Sequence, residues 1–341
     1  MSKYVLKKDK VEGALNALAN ANVVYIPVKN KRGLVEYKEL GKDASATDMK
    51  LDCRPDVPPK AILFPQTQVL FTFKKVDGKI TITPTEPDPR DKIIFGVRPC
   101  DTVAISVMDK VFLEGKFIDP YYKARRRRVA IFTVACDGPA DPNCFCPSTG
   151  GSPAGTEGSD VMLYDVGDSY LVEDITEKGA KLLEALRGDL EKPSTGQEKR
   201  KDEIIRKAES AEGFTRKIAV ESIGKLDSSF DSKYWDDVAK RCLSCGACTY
   251  YCPTCHCFDI NDEPGSKRVR TWDSCQFSNF TMHTSSHNPR TAKAQRLRNR
   301  YYHKFKYSKD STGRYLCVGC GRCIALCPAG LDITKVISEV K

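Results

Sequence analysis

Two stretches decide the reading of this chain: Cys242-Leu-Ser-Cys245-Gly-Ala-Cys248-Thr-Tyr-Tyr-Cys252-Pro253 and Cys317-Val-Gly-Cys320-Gly-Arg-Cys323-Ile-Ala-Leu-Cys327-Pro328. Both follow Cys-x-x-Cys-x-x-Cys-x-x-x-Cys-Pro without deviation. Three cysteines at this spacing wrap one corner of an iron–sulfur cubane, and the fourth, ahead of proline, ligates a second one. Gly246, Gly319 and Gly321 relieve the tight loops. The expected ligand sets are therefore Cys242, Cys245, Cys248 and Cys327 for one [4Fe–4S] cluster, and Cys317, Cys320, Cys323 and Cys252 for the other. A zinc ribbon would use only four of these eight thiols.

Working outward, the chain has 341 residues and 16 cysteines. That length supports a core without disulfide staples. The opening Met-Ser-Lys-Tyr-Val-Leu-Lys-Lys-Asp-Lys has no apolar export signal, so reduced thiols and a cytoplasmic location are expected. The strand-like Val129–Ala135 is the longest apolar run, too short for a membrane span. The formal charge of +10 counts every cysteine as a neutral thiol. With twelve thiolates on three clusters it falls to about +4. The basic excess then largely offsets the protein's own clusters and does not call for nucleic acid.

Residues 1–190 read as an α+β or α/β domain with a partly parallel sheet. The spacing predicts a helix over Lys8–Ala19, strands at Val23–Val28 and Leu34–Tyr37, and a hairpin of Val69–Lys74 with Lys79–Thr83 around Asp77-Gly78. The buried-type strands Lys92–Val97 and Val129–Ala135 flank a helical Thr102–Leu113, a strand–helix–strand unit whose parallel strands open onto one crevice. A second hairpin (Val161–Val166, Tyr170–Glu173) and a helix at Glu177–Leu186 follow. Residues 191–233 read as a linker, Glu191–Gln197, with connecting helices. Residues 234–341 read as a mainly helical two-cluster ferredoxin-type domain, with a helix at Thr291–Tyr302 inside the long gap between the cysteine motifs.

Cys100 follows the first strand of that unit, Cys136 ends the second, and Cys144-Phe-Cys146 lies on the loop beyond. These four thiols are expected to meet at the crevice and hold a third [4Fe–4S] cluster. Cys255, Cys257 and Cys275 stay open between a zinc site with His256 or His283, a further cluster and structural thiols, and Cys53 has no assigned role. The Gly-rich Thr149–Gly158 lacks a dinucleotide fingerprint and reads as a loop, and Arg125–Arg128 as a solvated entry to a strand. The cations and aromatic residues of Arg290–Lys306 could suggest RNA binding. A solvated or cluster-facing helix accounts for them better, because nearby cations favour a reduced cluster.

Phe95-Gly-Val-Arg-Pro-Cys-Asp101, Asp119-Pro-Tyr-Tyr-Lys-Ala-Arg125, Cys144-Phe-Cys-Pro-Ser148, Pro253-Thr-Cys-His-Cys-Phe258, Trp272-Asp-Ser-Cys-Gln276, His287-Asn-Pro-Arg290 and Arg296-Leu-Arg-Asn-Arg300 extend the two motifs. From about residue 60 onward the chain resembles the iron–sulfur family that comprises sulfhydrogenase beta subunits and the dicluster component of anaerobic sulfite reductase. The resemblance implies an electron-transfer subunit of a cytoplasmic oxidoreductase complex, without catalytic residues of its own. Its expected partners are a flavin- and [2Fe–2S]-containing, NAD(P)H-reactive subunit that carries FAD, and a hydrogenase, sulfite reductase or heterodisulfide reductase-like module. The alternative is a catalytic subunit that reduces a disulfide or sulfur substrate at a Cys255/Cys257/Cys275 site.

Overall fold

The computed structural model describes residues 2–340. Ten strands come first: β1 (Lys3–Lys7), β2 (Val23–Lys29), β3 (Val35–Glu39), β4 (Thr67–Val76), β5 (Lys79–Pro84), β6 (Lys92–Val97), β7 (Val129–Val134), β8 (Val161–Asp165), β9 (Ser169–Asp174) and β10 (Leu190–Glu191). Two more, β11 (Phe258–Glu263) and β12 (Lys267–Trp272), lie between the cysteine motifs. An eight-stranded sheet runs β10-β1-β9-β8-β7-β6-β2-β3. Its centre is parallel, through the pairs β2/β6, β6/β7 and β7/β8, and its flanks are antiparallel.

The central strands β6 and β7 are buried along their whole length and largely apolar, because both faces are covered. Phe95, Phe132 and Leu163 point into one core, with the helix Val11–Ala19 and Leu183. Their neighbours Ile94, Val97, Val129 and Ile131 point into the other, with the helix Pro99–Leu113 and Tyr122. Near the carboxyl end of β6, Gly96 takes φ +77° at a break in the β6/β7 register. A Cβ there would stand 2.5 Å from Leu51 Cδ2. This bulge leads the chain into Arg98 and the helix that opens Pro99-Cys100.

A four-stranded sheet, β11-β12-β4-β5, joins the β4–β5 hairpin to the β11–β12 hairpin. Gln68 on β4 meets Arg270 on β12 across 202 positions of chain. The Asp77-Gly78 turn has both residues left-handed, at φ +50° and +77°, as a tight hairpin needs. The hairpin Phe258–Trp272 was not expected from sequence, so the gap between the motifs is part strand and part helix. The helix Lys293–Tyr302 continues through a π-turn at His303–Tyr307 into Ser308–Thr312. It packs with Trp235, Leu331, Ile333 and Ile337 in a core of its own.

The segment read as a linker starts a helix. Ser194 and Gln197 form a reciprocal capping box at the head of Thr195–Ser210. Ser194→Ala is expected to remove about 1 kcal/mol of stability, measurable as a lowered urea midpoint with an unchanged slope.

A candidate iron–sulfur centre

The parallel register of β6 and β7 puts their carboxyl ends side by side, so Cys100 and Cys136 emerge at the same edge. Cys144 and Cys146 complete the wall: all four line one cavity, together with Arg54, Arg98 and Cys320. Arg98 holds this edge through the main-chain carbonyls of Cys53 (3.0 Å) and Ala135 (3.3 Å), and its Nη1 lies 3.9 Å from Cys136 Sγ. Arg54 pairs with Asp141 at 3.0 Å, yet its buried Nε has no acceptor among the described residues. A buried, unanswered donor on a cavity lined by five cysteines fits an anionic sulfur-rich body there.

Cys242, Cys245, Cys248 and Cys327 line a second, largely apolar cavity, which Cys323 and Arg300 also border. Main-chain N–H groups donate to two of these sulfurs, Ser244 to Cys242 and Leu331 to Cys327, both at 3.3 Å. The remaining predicted set lies close by. Cys317 and Cys323 sit near enough to Cys252 and Cys320 for those sulfurs to raise the Cys317 and Cys323 thiol pKa electrostatically. Burial first, with the neighbouring sulfurs adding to it, pushes Cys317 up to about 12 and Cys144 up to about 11. Such groups of buried, mutually repelling sulfurs suit iron, whose positive charge lets them bind as thiolates.

The three sets are contiguous. Cys144 Sγ lies 3.9 Å from the Cys320 carbonyl, and Phe145 N–H donates to Gly319 O at 2.7 Å. Cys320 thus borders the cavity of the Cys100 set, and Cys323 that of the Cys242 set.

The basic stretch is largely internal. Arg296, Arg300 and Lys304, four residues apart, form one buried helical stripe. Arg300 donates to Cys255 Sγ (3.3 Å) and Cys248 O (2.6 Å), and Lys304 to Cys252 Sγ (3.2 Å). Cys252 is held well below a thiol's usual pKa by its hydrogen bond with Cys255, with Lys304 and Arg300 adding to this against burial. Outer-face cations are paired instead: Arg298 with Asp231, and Lys306 with Asp227 and Asp310.

Cys255 and Cys275 are buried, and Cys257 is half-buried, with its thiol in hydrogen-bond contact with that of Cys275. Burial keeps His256 neutral, with a pKa lowered to about 4, and its Nδ1 lies 3.0 Å from Thr254 O. His283 faces His287 in a separate turn. Among the described residues no three His, Cys, Asp or Glu side chains gather closely enough to hold a single metal ion. Cys53 contributes its carbonyl to Arg98.

Sequence reasoning missed Arg54, Lys60 and the pair Asp101–Arg322. Lys60 is buried over the Trp272 ring (4.1 Å) and donates to Cys255 O at 3.1 Å. Burial lowers its pKa to about 8. Asp101 and Arg322, both fully buried, form a two-pronged ion pair at 2.6 and 2.7 Å that joins the residue after Cys100 to the residue before Cys323.

Residues 241–331 match the family model of a 4Fe-4S dicluster domain. Over 96% of its length the chain is 32% identical to sulfhydrogenase 2 subunit beta of Pyrococcus furiosus, covering 94% of that protein. This chain belongs to the sulfhydrogenase beta-subunit family. It is an iron–sulfur protein of the oxidoreductase, electron-transfer class. Among the described residues no helix is long and apolar enough to cross a membrane.

Proposed function

We propose that this chain is the electron-transfer subunit of a multi-subunit cytoplasmic oxidoreductase and holds three [4Fe–4S] clusters. Cys242, Cys245, Cys248 and Cys327 would hold one, Cys317, Cys320, Cys323 and Cys252 the second, and Cys100, Cys136, Cys144 and Cys146 the third. The contiguity of the three sulfur sets carries this reading: Cys320 borders one neighbouring set and Cys323 the other. Bound clusters supply one-electron transfer without bond making in a substrate.

The residues around them do the rest. Arg300 and Lys304 place positive charge on the sulfurs, which favours the more negative, reduced state. Leu297, Tyr301 and Leu331, themselves buried, cover the inner side of the Cys242 set. The burial of Cys255 and Cys275 supports a relay over direct reduction of a substrate there. The name of the Pyrococcus furiosus relative supports a hydrogenase-type module as one partner. The other partner in this reading is a flavin-bearing, NAD(P)H-reactive protein.

Anaerobic purification of the native complex, with its subunits identified, tests this. The expected yield is about 12 iron and 12 sulfide per copy of this chain. A count near eight would remove the third cluster, and a colourless, iron-free chain would overturn the reading.

A further inference from the structure

Of the sixteen cysteines, Cys245 alone is exposed. Its neighbour Leu243 is 66% exposed, and Ser244 between them is left-handed at φ +52°. The Ser244 hydroxyl has no hydrogen-bond partner among the described residues. A lone exposed leucine is ordinary. This one stands beside the one exposed cysteine, on the wall of the Cys242 cavity.

Two cations flank the loop. Arg241 donates to Gly330 O at 3.3 Å, and Lys293 to Cys242 O at 2.8 Å. Neither forms an ion pair among the described residues, whereas nearby Lys240 is held by Asp237. An apolar tip with unneutralised positive charge at its edge is complementary to an acidic surface.

We propose that the Leu243–Cys245 loop, flanked by Arg241 and Lys293, is the docking surface for an acidic one-electron carrier protein. The proposal rests on the function given above. One electron passes between the carrier's centre and the cubane behind Cys245: one centre is oxidised, the other is reduced, and no bond breaks.

The test uses the anaerobic holoprotein, with an acidic two-cluster ferredoxin as probe and a basic cytochrome c as counter-probe. Binding is read by calorimetry and by amide hydrogen exchange. Ferredoxin should bind at low salt, weaken as salt rises, and protect the amides of residues 243–246. Leu243→Asp and Arg241→Glu should each weaken binding by at least about tenfold. Cytochrome c should not bind. The proposal is overturned by absent ferredoxin binding, by variants that bind like the parent, or by protection at another face. It is equally overturned if sedimentation shows that Leu243→Asp breaks a homodimer, since the surface then belongs to a second copy of this chain.

Iron and sulfide are counted on the same samples. Iron-free parent protein defeats the proposed function, whereas full iron with unaltered binding defeats only the docking surface. Should Leu243→Asp lose iron, Arg241→Glu decides, because among the described residues the Arg241 side chain bonds to Gly330 O and to no cysteine.

Discussion

Asp101→Asn should destabilise the protein by about 3–5 kcal/mol, among the largest effects available to a single substitution outside the cysteines. The change preserves shape and removes one charge. Arg322 would remain fully buried, keeping only the Pro55 carbonyl (2.9 Å) and a neutral amide as partners. An isolated guanidinium cannot shed its proton to escape, so the desolvation penalty is felt in full. The pair also ties the Cys100 turn to the Cys320–Cys323 turn, and iron per chain should fall with stability. Denaturant unfolding under anaerobic conditions, with iron counted before and after, reads both. The double variant Asp101→Leu with Arg322→Met should recover much of the lost stability, since a buried ion pair is often replaceable by apolar packing. A single variant within about 1 kcal/mol of the parent would show that water reaches the pair.

Gly319→Ala is the second large effect. Gly319 sits at φ +63°, and a Cβ there would lie 2.5 Å from both the nitrogen and the Cα of Cys146. These are backbone atoms, so no rotamer change can make room. The two loops would have to separate, breaking the Phe145 N–H to Gly319 O bond and parting the Cys146 and Cys320 sulfur sets. The expected loss exceeds about 3 kcal/mol, the sum of overpacking and left-handed strain. Visible absorbance and iron content should drop as well. Full iron with an unchanged unfolding midpoint would mean that the loops are not in the contact described.

Much of this was legible in the sequence, for local reasons. Lys92–Val97 and Val129–Val134 are short and largely apolar, which strands covered on both faces require. Asp77-Gly78 announces its own turn. The four cysteines at and beyond the ends of β6 and β7 converge because parallel pairing leaves them little choice. The Ser194–Gln197 signature was present too, but Pro193 and Gly196 beside it read as linker chemistry.

What stayed hidden is non-local. Phe258–Glu263 is acidic and exposed, and nothing within it asks for a sheet. Its partner β12 pairs on its other edge with β4, far back in the chain. Pro264-Gly265 was the one cue to that hairpin. An ordinary surface lysine and the buried Lys60 look alike in sequence. Only the fold brings Lys60 to Cys255 and Arg322 to Asp101, across 195 and 221 positions respectively.

The mixed parentage of the four-stranded sheet bears on how this molecule can be handled. A truncation starting at residue 191 would keep β12 but discard the β4 edge to which it bonds, and an amino-terminal piece would leave β4 with only its own hairpin mate. Neither half is a transferable cassette. Grafting the cysteine-rich end alone into another scaffold would leave a strand edge ready to pair with any neighbour, so inclusion bodies, not a miniature ferredoxin, are the expected harvest.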